Sequence, residues 1–343
     1  IILELIEKIK KKKNIIVFLI SNKFSHSDIK KKKNSMLIDF SYLKFIPFSK
    51  FLLGKINLFI SSYVSYVFPP NSKNIYISHD IADAPMVNKN IEKKLFLSLL
   101  KNNYIFLSSA VVVKYFNDKF TKYFPDKKIK KPKLINTGYL KLDHVRKELR
   151  NYKYKPDSIL IAPTASHQMK EYNISSDIVK LIEGLLKYKK ERVIYRPHPL
   201  DLTKKGNKNL INKIITKYQN FSNFELDVSK SYLKSYAKAK YLITDFSGTA
   251  YTFIYSTMKP VIFYSRNEKN LQKGEFKSLM YFKDRKKVGY IVRNKNELLK
   301  KAKKINKNHK TIKQKIYNLR KERIRYLDKS LNKTYNEILN IIN

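Results

Sequence analysis

Short apolar runs separated by polar turns recur along the chain and give the first expectation about its fold. The runs are "IIVFLI" from residue 15, "INLFI" from 56, "IYIS" from 75, "AVVV" from 110, "ILIA" from 159, "VIY" from 193, "LIT" from 242 and "VIF" from 261. Runs of this length that are apolar throughout are typical of strands buried on both faces in a parallel sheet. We therefore predict a β-strand at each of these positions.

Helical patterns lie between several of the predicted strands. In "SSDIVKLIEGLLKYKK" one apolar face recurs at helical spacing, with members Ile178, Leu181, Ile182 and Leu185. Ser175 or Ser176 is placed to cap the helix, and Asp177 would lie in its positive first turn. Strands that alternate with helices predict a parallel α/β architecture with right-handed crossovers.

A polar, proline-containing segment, "NYKYKPDS" at 151–158, divides one series of strand–helix units from the next. We predict two Rossmann-like parallel-sheet domains that face each other across a cleft, an N-terminal domain at 1–152 and a C-terminal domain at 153–343. The tail from Asn296 onward has a helical, highly basic pattern, which predicts basic C-terminal helices.

Composition adds a strong positive charge to this picture. The 343 residues are 43% hydrophobic, enough for two buried cores, and 73 Lys and Arg against 27 Asp and Glu give a formal charge of +46. The charge indicates either a specific basic surface for an anionic partner or a general lysine coat.

The sequence lacks two features, cysteine and a long apolar run, that would indicate disulfides, a cysteine-ligated metal or a transmembrane helix. The chain has no cysteine, which excludes disulfides and cysteine-ligated metals. No apolar run approaches the roughly 20 residues needed to span a bilayer. The opening "IILELIEKIKKKKN" lacks an initiator methionine, and we interpret it as an amphipathic start or a truncated N-terminus.

The stretch "YRPHPLD" at 195–201 directly follows a predicted strand. Ligands of open α/β sheets bind at the carboxyl ends of strands, so Arg196 and His198 lie where a site is expected. The flanking prolines restrict the backbone and present both side chains in a fixed loop. The alternative is a rigid surface loop whose basic residues are only solvated.

A second stretch, "TDFSGTAYTFIY" from Thr244, predicts a strand that ends at Asp245 and a helix that begins at Ser247, Gly248 and Thr249. Unpaired N–H groups, two hydroxyls and the positive end of the helix dipole would bind phosphate there. The alternative is an ordinary turn in which Ser247 only caps the helix. Taken together, the two stretches predict a site for a diphosphate.

Candidates for proton transfer come from the first half of the chain. His79 ends a predicted strand, and its unperturbed pKa suits a general base for an attacking hydroxyl, although a lone histidine in this position is more often structural. Asp80 or Asp83 could orient it or act as the base instead. The loops with Asp143 and with "APTASHQ", which contains Pro163, Thr164, Ser166 and His167, are predicted to line the same cleft.

The order of these motifs resembles that of the CDP-glycerol glycerophosphotransferase family, the teichoic acid type polymerases and primases. The matching segments are "SHD" around His79, "TGYLKLD" at 137–143, "APT" at 162–164, "RPHP" at 196–199 and "TDFSGTAYTF" with "KPVIFY" between 244 and 264. The sequence departs from the family pattern at Asp80, where glycine is usual, at Leu140, where proline is usual, and at "ASHQ", where an aromatic residue and arginine are common.

The resemblance implies a GT-B-like fold and transfer of glycerol phosphate, or a similar polyol phosphate, from a CDP-activated donor to a lipid-linked or glycan acceptor. It also implies that the domain at 1–152 binds the acceptor and that the domain at 153–343 binds the donor nucleotide. It implies no cofactor and no metal, and action in the cytoplasm or at the inner face of the plasma membrane, where an anionic surface would be a partner. In this interpretation His79, Asp80 and His198 are catalytic. The donor-binding residues are Arg196, His198, Asp245, Ser247, Gly248, Thr249, Pro163 and Thr164.

Two other functions remain open from the sequence. A GT-B glycosyltransferase that uses a nucleotide-sugar for capsule or lipopolysaccharide synthesis would need the same diphosphate site, and the nucleotide released would distinguish it. A non-catalytic nucleic-acid-binding protein is supported only by charge and by interleaved tyrosines and lysines such as "NYKYK". Nucleic acid is the partner that the motifs favour least.

Overall fold

The computed structural model describes residues 2–9, 11, 18–21, 36–39, 54, 56–65, 68–78, 81, 89–168, 170–188, 192–203, 205–273, 276, 279–305 and 309–342. The strands in these ranges are β1 (Phe18–Ser21), β2 (Met36–Asp39), β3 (Leu58–Ser61), β4 (Lys73–Ile77), β5 (Tyr104–Leu107), β6 (Lys133–Asn136), β7 (Ser158–Ile161), β8 (Arg192–Tyr195), β9 (Phe224–Leu226), β10 (Ala239–Thr244), β11 (Val261–Tyr264) and β12 (Gly289–Val292). The helices are α1 (Ile2–Ile9), α2 (Lys89–Leu99), α3 (Ala110–Tyr123), α4 (Leu140–Leu149), α5 (Ile178–Tyr188), α6 (Pro199–Thr203), α7 (Lys205–Tyr218), α8 (Leu233–Lys238), α9 (Thr249–Thr257), α10 (Glu268–Gln272), α11 (Met280–Val288), α12 (Lys295–Lys304), α13 (His309–Arg323) and α14 (Ser330–Ile342).

The described strands form parallel sheets, as the apolar runs predict. β1 and β2 pair with each other, β3 to β6 form a four-stranded sheet in sequence order, and the remaining strands form a six-stranded sheet in the order β12-β11-β10-β7-β8-β9. Every strand pair in the described residues is parallel. Parallel neighbours need crossovers, and helices supply them.

The chain divides into two compact units that are not continuous in sequence. The first contains the described residues among 1–79, 93–141 and 325–343, and the second contains those among 80–92 and 142–324. The two large sheets divide between β6 and β7, on either side of the polar segment at 151–157. The boundary at residues 152 and 153 stays a prediction about independently folding domains.

The first unit draws its core from both ends of the chain. Leu5 and Ile9 of α1 pack in one cluster with Ile75 of β4 and with Ile338 and Ile341 of α14. All five side chains are buried, because α1 and α14 present one apolar stripe each and pack against each other. The N-terminal and C-terminal helices therefore belong to one hydrophobic core.

The second unit is built around its six-stranded sheet. β7 is buried along its whole length, as expected for a central strand of a parallel sheet. The apolar face predicted for α5 is confirmed, since Ile178, Leu181, Ile182 and Leu185 are fully buried against the sheet. The helix begins at Ile178, later than the serine caps predicted from the sequence, and the carbonyl of Asp177 accepts the N–H of Leu181 at 2.9 Å.

One strand prediction is wrong. The run "AVVV" from residue 110 is the first turn of α3, and the strand of this region is the preceding "YIFL", β5. Ser109 explains the difference, because its side chain accepts the N–H of Val112 and caps the helix. Val112, Phe116 and Phe120 then lie on one buried face.

The basic tail is helical, as predicted. α12, α13 and α14 cover most of the residues from 295 to 342. Arg323 of α13 binds both carboxylate oxygens of Asp284 in α11, at 2.8 and 3.1 Å, and Arg320 donates to the carbonyl of Tyr255 at 2.9 Å. Within the described ranges, no helix has the length and apolarity to cross a membrane.

Candidate functional site

The sheet order of the second unit places the predicted donor motifs on adjacent loops. β7 lies between β8 and β10, with Ile161 in register with Tyr195 on one side and Ile243 in register on the other. The loops that follow these three strands carry, respectively, Thr164, His198 and Ser247. Because parallel strands end at the same edge, the three loops emerge side by side, which is where open α/β sheets bind ligands.

The turn at residues 247–249 starts a helix directly after a parallel strand, as predicted. Gly248 is the N-cap residue of α9 and is exposed to solvent, and Ser247 and Thr249 are half-buried. The N–H of Thr249 donates to the Ser247 hydroxyl at 3.4 Å, and the N–H of Ala250 donates to the Ser247 carbonyl at 3.1 Å. No hydrogen bond of the described residues uses the N–H of Ser247 or Gly248. An anion can therefore bind these two groups.

Two tyrosines support this turn from below. The hydroxyl of Tyr281 donates to the carbonyl of Ser247 at 3.0 Å, and the hydroxyl of Tyr236 lies 2.7 Å from that of Thr249. Both tyrosine side chains are buried, at 3% and 1% exposure. Burial raises the pKa of both phenols, so they remain neutral hydrogen-bonding groups that fix the turn.

Asp245 lies beneath the turn and bonds to the backbone. Its side chain is 1% exposed, and its two oxygens accept the N–H of Thr164 at 3.0 Å and the N–H of Ile174 at 3.2 Å. Burial raises its pKa to about 6, against the lowering effect of these backbone bonds and of the N–H groups of Asp245 and Phe246. The carboxylate thus holds the loop after β7 through its backbone bonds.

Pro163 and Thr164 are both buried at the start of that loop. The hydroxyl of Thr164 lies 3.2 Å from the side-chain oxygen of Gln168, while its N–H is bonded to Asp245. Their position at the end of β7 fits the predicted donor site, and their contacts are with the protein.

Arg196 is paired with Asp227, which follows β9. The guanidinium contacts the Asp227 carboxylate at 2.7 Å and the Ser229 carbonyl at 2.8 Å, and the paired side chains are 11% and 7% exposed. Burial alone would raise the pKa of Asp227, but hydrogen bonds from Ser229, Ser235 and Arg196 outweigh it and lower that pKa. Arg196 therefore connects the loop after β8 to the loop after β9. Its contacts in the described residues are with protein groups that stabilise these loops.

His198 is held in one tautomer at the start of α6. Its Nδ1 accepts the N–H of Leu200 at 3.2 Å, which leaves the proton on Nε2. Burial lowers the pKa of His198, the charge of Asp201 opposes this, and His167 lowers the pKa further. The arrangement favours a neutral imidazole that donates a hydrogen bond from Nε2.

Three of the predicted residues lie outside the described part of the chain, namely His79, Asp80 and Asp83. Their roles stay predictions from the sequence. β4, the strand that precedes His79, is confirmed and runs to Ile77. Among the described residues, no three His, Asp or Glu side chains form a cluster that could hold a metal ion.

The sequence alone gave no role to Asp201 and Asp227, although each closely follows a strand of the six-stranded sheet. Asp201 ends the quoted stretch "YRPHPLD", and Asp227 comes directly after "FEL". A carboxylate just past a strand end, as at Asp245, was the signal that could have identified both. The short strand β9 was itself missed, so the pattern was incomplete.

Comparison with known proteins agrees with these motifs. A family model described as CDP-Glycerol:Poly(glycerophosphate) glycerophosphotransferase matches residues 2–340. No curated protein matches the chain by sequence.

The solved structures that resemble the chain share its fold at low sequence identity. The wall teichoic acid polymerase TagF matches with a TM-score of 0.61 at 17% identity, covering 98% of this chain and 83% of that one. A TagF variant soaked with CDPG matches with a TM-score of 0.65 at 15% identity, covering 98% and 84%. A co-structure of S. aureus MnaA with UDP matches with a TM-score of 0.61 at 14% identity, covering 99% and 92%. These likenesses confirm the predicted GT-B-like fold class.

Proposed function

Because the chain belongs to the CDP-glycerol:poly(glycerophosphate) glycerophosphotransferase family and is therefore a transferase, we propose that it moves glycerol phosphate, or a similar polyol phosphate, from a CDP-activated donor to a hydroxyl of a lipid-linked or glycan acceptor. The product would be a cell-envelope polymer. The observation that carries the proposal is the placement of His198 and the α9 helix start at one sheet edge, on the two loops that flank the loop after β7. CDPG was soaked into a variant of the structurally similar TagF, which supports this donor class.

The donor diphosphate binds at the start of α9 in this proposal. The N–H groups of Ser247 and Gly248 and the hydroxyls of Ser247 and Thr249 face its oxygens, and the positive end of the helix dipole adds to the attraction. Gly248 has no side chain to block the approach of the phosphates. His198 donates from Nε2 to the same diphosphate across the neighbouring loop.

Transfer then requires attack by an acceptor hydroxyl on the phosphorus next to glycerol. His79 takes the hydroxyl proton, the new P–O bond forms, and the bond to the CMP oxygen breaks with its electrons leaving on CMP. His198 and the helix start stabilise the charge that develops on the departing phosphate. Asp80 lies next to His79 in the sequence and would orient it.

Arg196 and Asp245 act by position. Arg196 holds the His198 loop through Asp227, and Asp245 holds Thr164 and the loop of Pro163 through the backbone. Their loss would displace the groups that contact the donor, because a site loses much of its effect when those groups move by about 1 Å.

We place this activity in the cytoplasm, at the inner face of the plasma membrane. The support is the basic face of the C-terminal helices, where α13 exposes Lys310, Lys313 and Lys321. Lysines near an anionic surface contribute about 1 kcal/mol each to binding.

A donor panel tests the proposal. The purified chain is incubated with CDP-glycerol, CDP-ribitol, and UDP- and CDP-sugars, with and without membrane extract as acceptor source, and the released nucleotide is identified. Release of CMP from a CDP-polyol that increases with acceptor supports the proposal. Release of UDP or CDP from a nucleotide-sugar would instead establish the glycosyltransferase alternative. Binding of any of these nucleotide-diphosphate donors would contradict the alternative of a non-catalytic nucleic-acid-binding protein.

A further inference from the structure

A third buried carboxylate, Asp201, joins the loops after β7 and β8. It lies in α6, is 4% exposed, and accepts the N–H of Ser166 at 3.0 and 3.2 Å and the Ser166 hydroxyl at 3.0 Å. Its own N–H donates to the carbonyl of His198 at 2.8 Å. Asp201 is thus hydrogen-bonded to His198 through the backbone and to the residue that precedes His167 through its side chain.

These bonds tie the loop that carries His167 to the loop that carries His198 at the sheet edge. His167 directly follows Ser166, which Asp201 binds, and the His198 carbonyl accepts the N–H of the same Asp201 at 2.8 Å. The charged and titratable groups that act on His198 in the described residues are Asp201 and His167.

His167 also carries an unsatisfied nitrogen. Its Nδ1 is buried and has no hydrogen-bond partner in the described residues. Natural structures rarely leave such an atom without a partner except where a ligand, a water or a reaction completes it. The neighbouring Asn173 has its amide committed to the carbonyls of Ser166 and Gln168, at 2.9 and 2.8 Å, so it fixes the backbone of the loop on both sides of His167.

We propose that His167 and His198 bind the donor's diphosphate together, and that Asp201 is the positioning residue that holds the two side by side. The inference rests on the proposed function and adds a second imidazole to its donor site. His198 donates from Nε2 to one phosphate oxygen of the diphosphate, and His167, on the loop after β7, donates to a neighbouring phosphate oxygen. The ligand chemistry is a diphosphate, either within a nucleotide donor or as free pyrophosphate.

The test measures binding of CDP-glycerol and of pyrophosphate to the full chain by calorimetry. His167→Ala should weaken both affinities roughly 10- to 100-fold, the loss expected for one hydrogen bond to a charged group. His167→Gln, which can still donate, should lose less. Asp157→Asn is the matched control for Asp201→Asn, because Asp157 is exposed and precedes β7 at its opposite end.

An NMR titration of the histidine C2 protons provides the readout that a merely structural role would not move. Asp201→Asn should lower the pKa of His198, His167→Gln should raise it, and Asp157→Asn should leave it unchanged. The proposal is wrong if His167→Ala binds both probes within twofold of wild type. It is also wrong if the pKa of His198 is unchanged in both Asp201→Asn and His167→Gln.

The two probes separate this inference from the proposed function. A wild-type chain that binds pyrophosphate but not CDP-glycerol contradicts the proposed donor, while weaker pyrophosphate binding by His167→Ala still supports the pair. If the wild-type chain binds neither probe, both proposals fail.

Discussion

The carboxylate of Asp245 accepts the backbone N–H of Thr164 at 3.0 Å, although the two residues lie 81 positions apart. Two other contacts join adjacent loops in the same way. Asp201 accepts the N–H of Ser166, and Arg196 pairs with Asp227. Each tie joins the end of one strand to the end of its neighbour. The sheet edge is therefore preorganised by buried charged groups before any donor binds.

Asp245→Asn should change how stability depends on pH. The folded-state pKa of Asp245 is about 6 and its ordinary value is 3.8, so ionisation in the folded state opposes stability. The stability that the protonated acid contributes is complete below 3.8 and is lost as the pH rises to about 6. Relative to Asp245→Asn, the wild-type free energy of unfolding should fall by up to about 3 kcal/mol between pH 4 and pH 7.

Urea denaturation of both proteins across this pH range provides the measurement, with Asp157→Asn as the control for removing a surface carboxylate. Parallel pH profiles for wild type and Asp245→Asn would show that Asp245 has no raised pKa. Asp245→Asn should also weaken donor binding, because the amide NH2 would face the N–H groups that the carboxylate accepts.

The roles of His79 and His198 should separate kinetically. His198→Ala should weaken binding of CDP-glycerol roughly 10- to 100-fold and also slow turnover, since the proposed role of His198 is to contact the leaving phosphate in both the ground state and the transition state. His79→Ala should leave donor affinity nearly unchanged and lower turnover about 10²- to 10⁴-fold, as for a general base. Calorimetry with the donor and turnover with an acceptor give the two quantities. An active His79→Ala enzyme would redirect the search for the base to Asp80 or Asp83.

Arg196→Met should destabilise the second unit. Its partner Asp227 would remain buried without its cation, and breaking a buried pair in this way costs about 3–5 kcal/mol. The double variant Arg196→Met, Asp227→Asn should recover part of that loss, as a double-mutant cycle would show.

Lys217→Met is the matched control, because the Lys217 ion pair with Glu183 is exposed, with side chains at 45% and 29%. Its loss should destabilise the protein much less than Arg196→Met does, because an exposed ion pair contributes little to stability. If Arg196→Met and Lys217→Met lower the free energy of unfolding equally, the buried Arg196–Asp227 pair contributes no more to stability than an exposed pair.

Membrane binding should depend on the basic face of α13. Replacement of Lys310, Lys313 and Lys321 by glutamine should weaken binding to vesicles that contain anionic lipid by roughly 100-fold. Co-sedimentation with and without added salt measures this, and the effect should shrink as salt rises.

The control removes three charges elsewhere, at the exposed Lys127, Lys128 and Lys130 between α3 and β6. If both triple variants bind equally weakly, the charge acts as a general lysine coat. If neither differs from wild type, the protein does not use these lysines at a membrane.

The fold was predictable from the sequence where strands are apolar on both faces. β7, β8, β10 and β11 were identified for that reason, and so was the helix start at Ser247, because a glycine and two hydroxyl residues follow a strand. β5 was misplaced because "AVVV" is as apolar as the strand before it, and only the cap at Ser109 distinguishes them. β9 and β12 are short and only partly buried, so they give little pattern.

The site was predictable at the level of motifs and less so at the level of contacts. Sequence order placed Arg196, His198 and Asp245 at strand ends, as the structure has them. It could not show that Arg196 binds Asp227 or that Asp245 binds Thr164, because both contacts depend on strand order in the sheet. Neighbours in the sheet are not neighbours in the chain, and one sequence carries little information about that order.

The shared core of α1 and α14 affects the order in which the two units can fold during synthesis. The second unit's residues from 142 to 324 are all synthesised before α14, whereas the core of the first unit lacks Ile338 and Ile341 until α14 leaves the ribosome. Domains usually fold in the order in which they emerge. Here the unit that begins the chain is the unit that finishes folding last, so a nascent chain released early would carry a folded second unit and a first unit whose apolar core is incomplete.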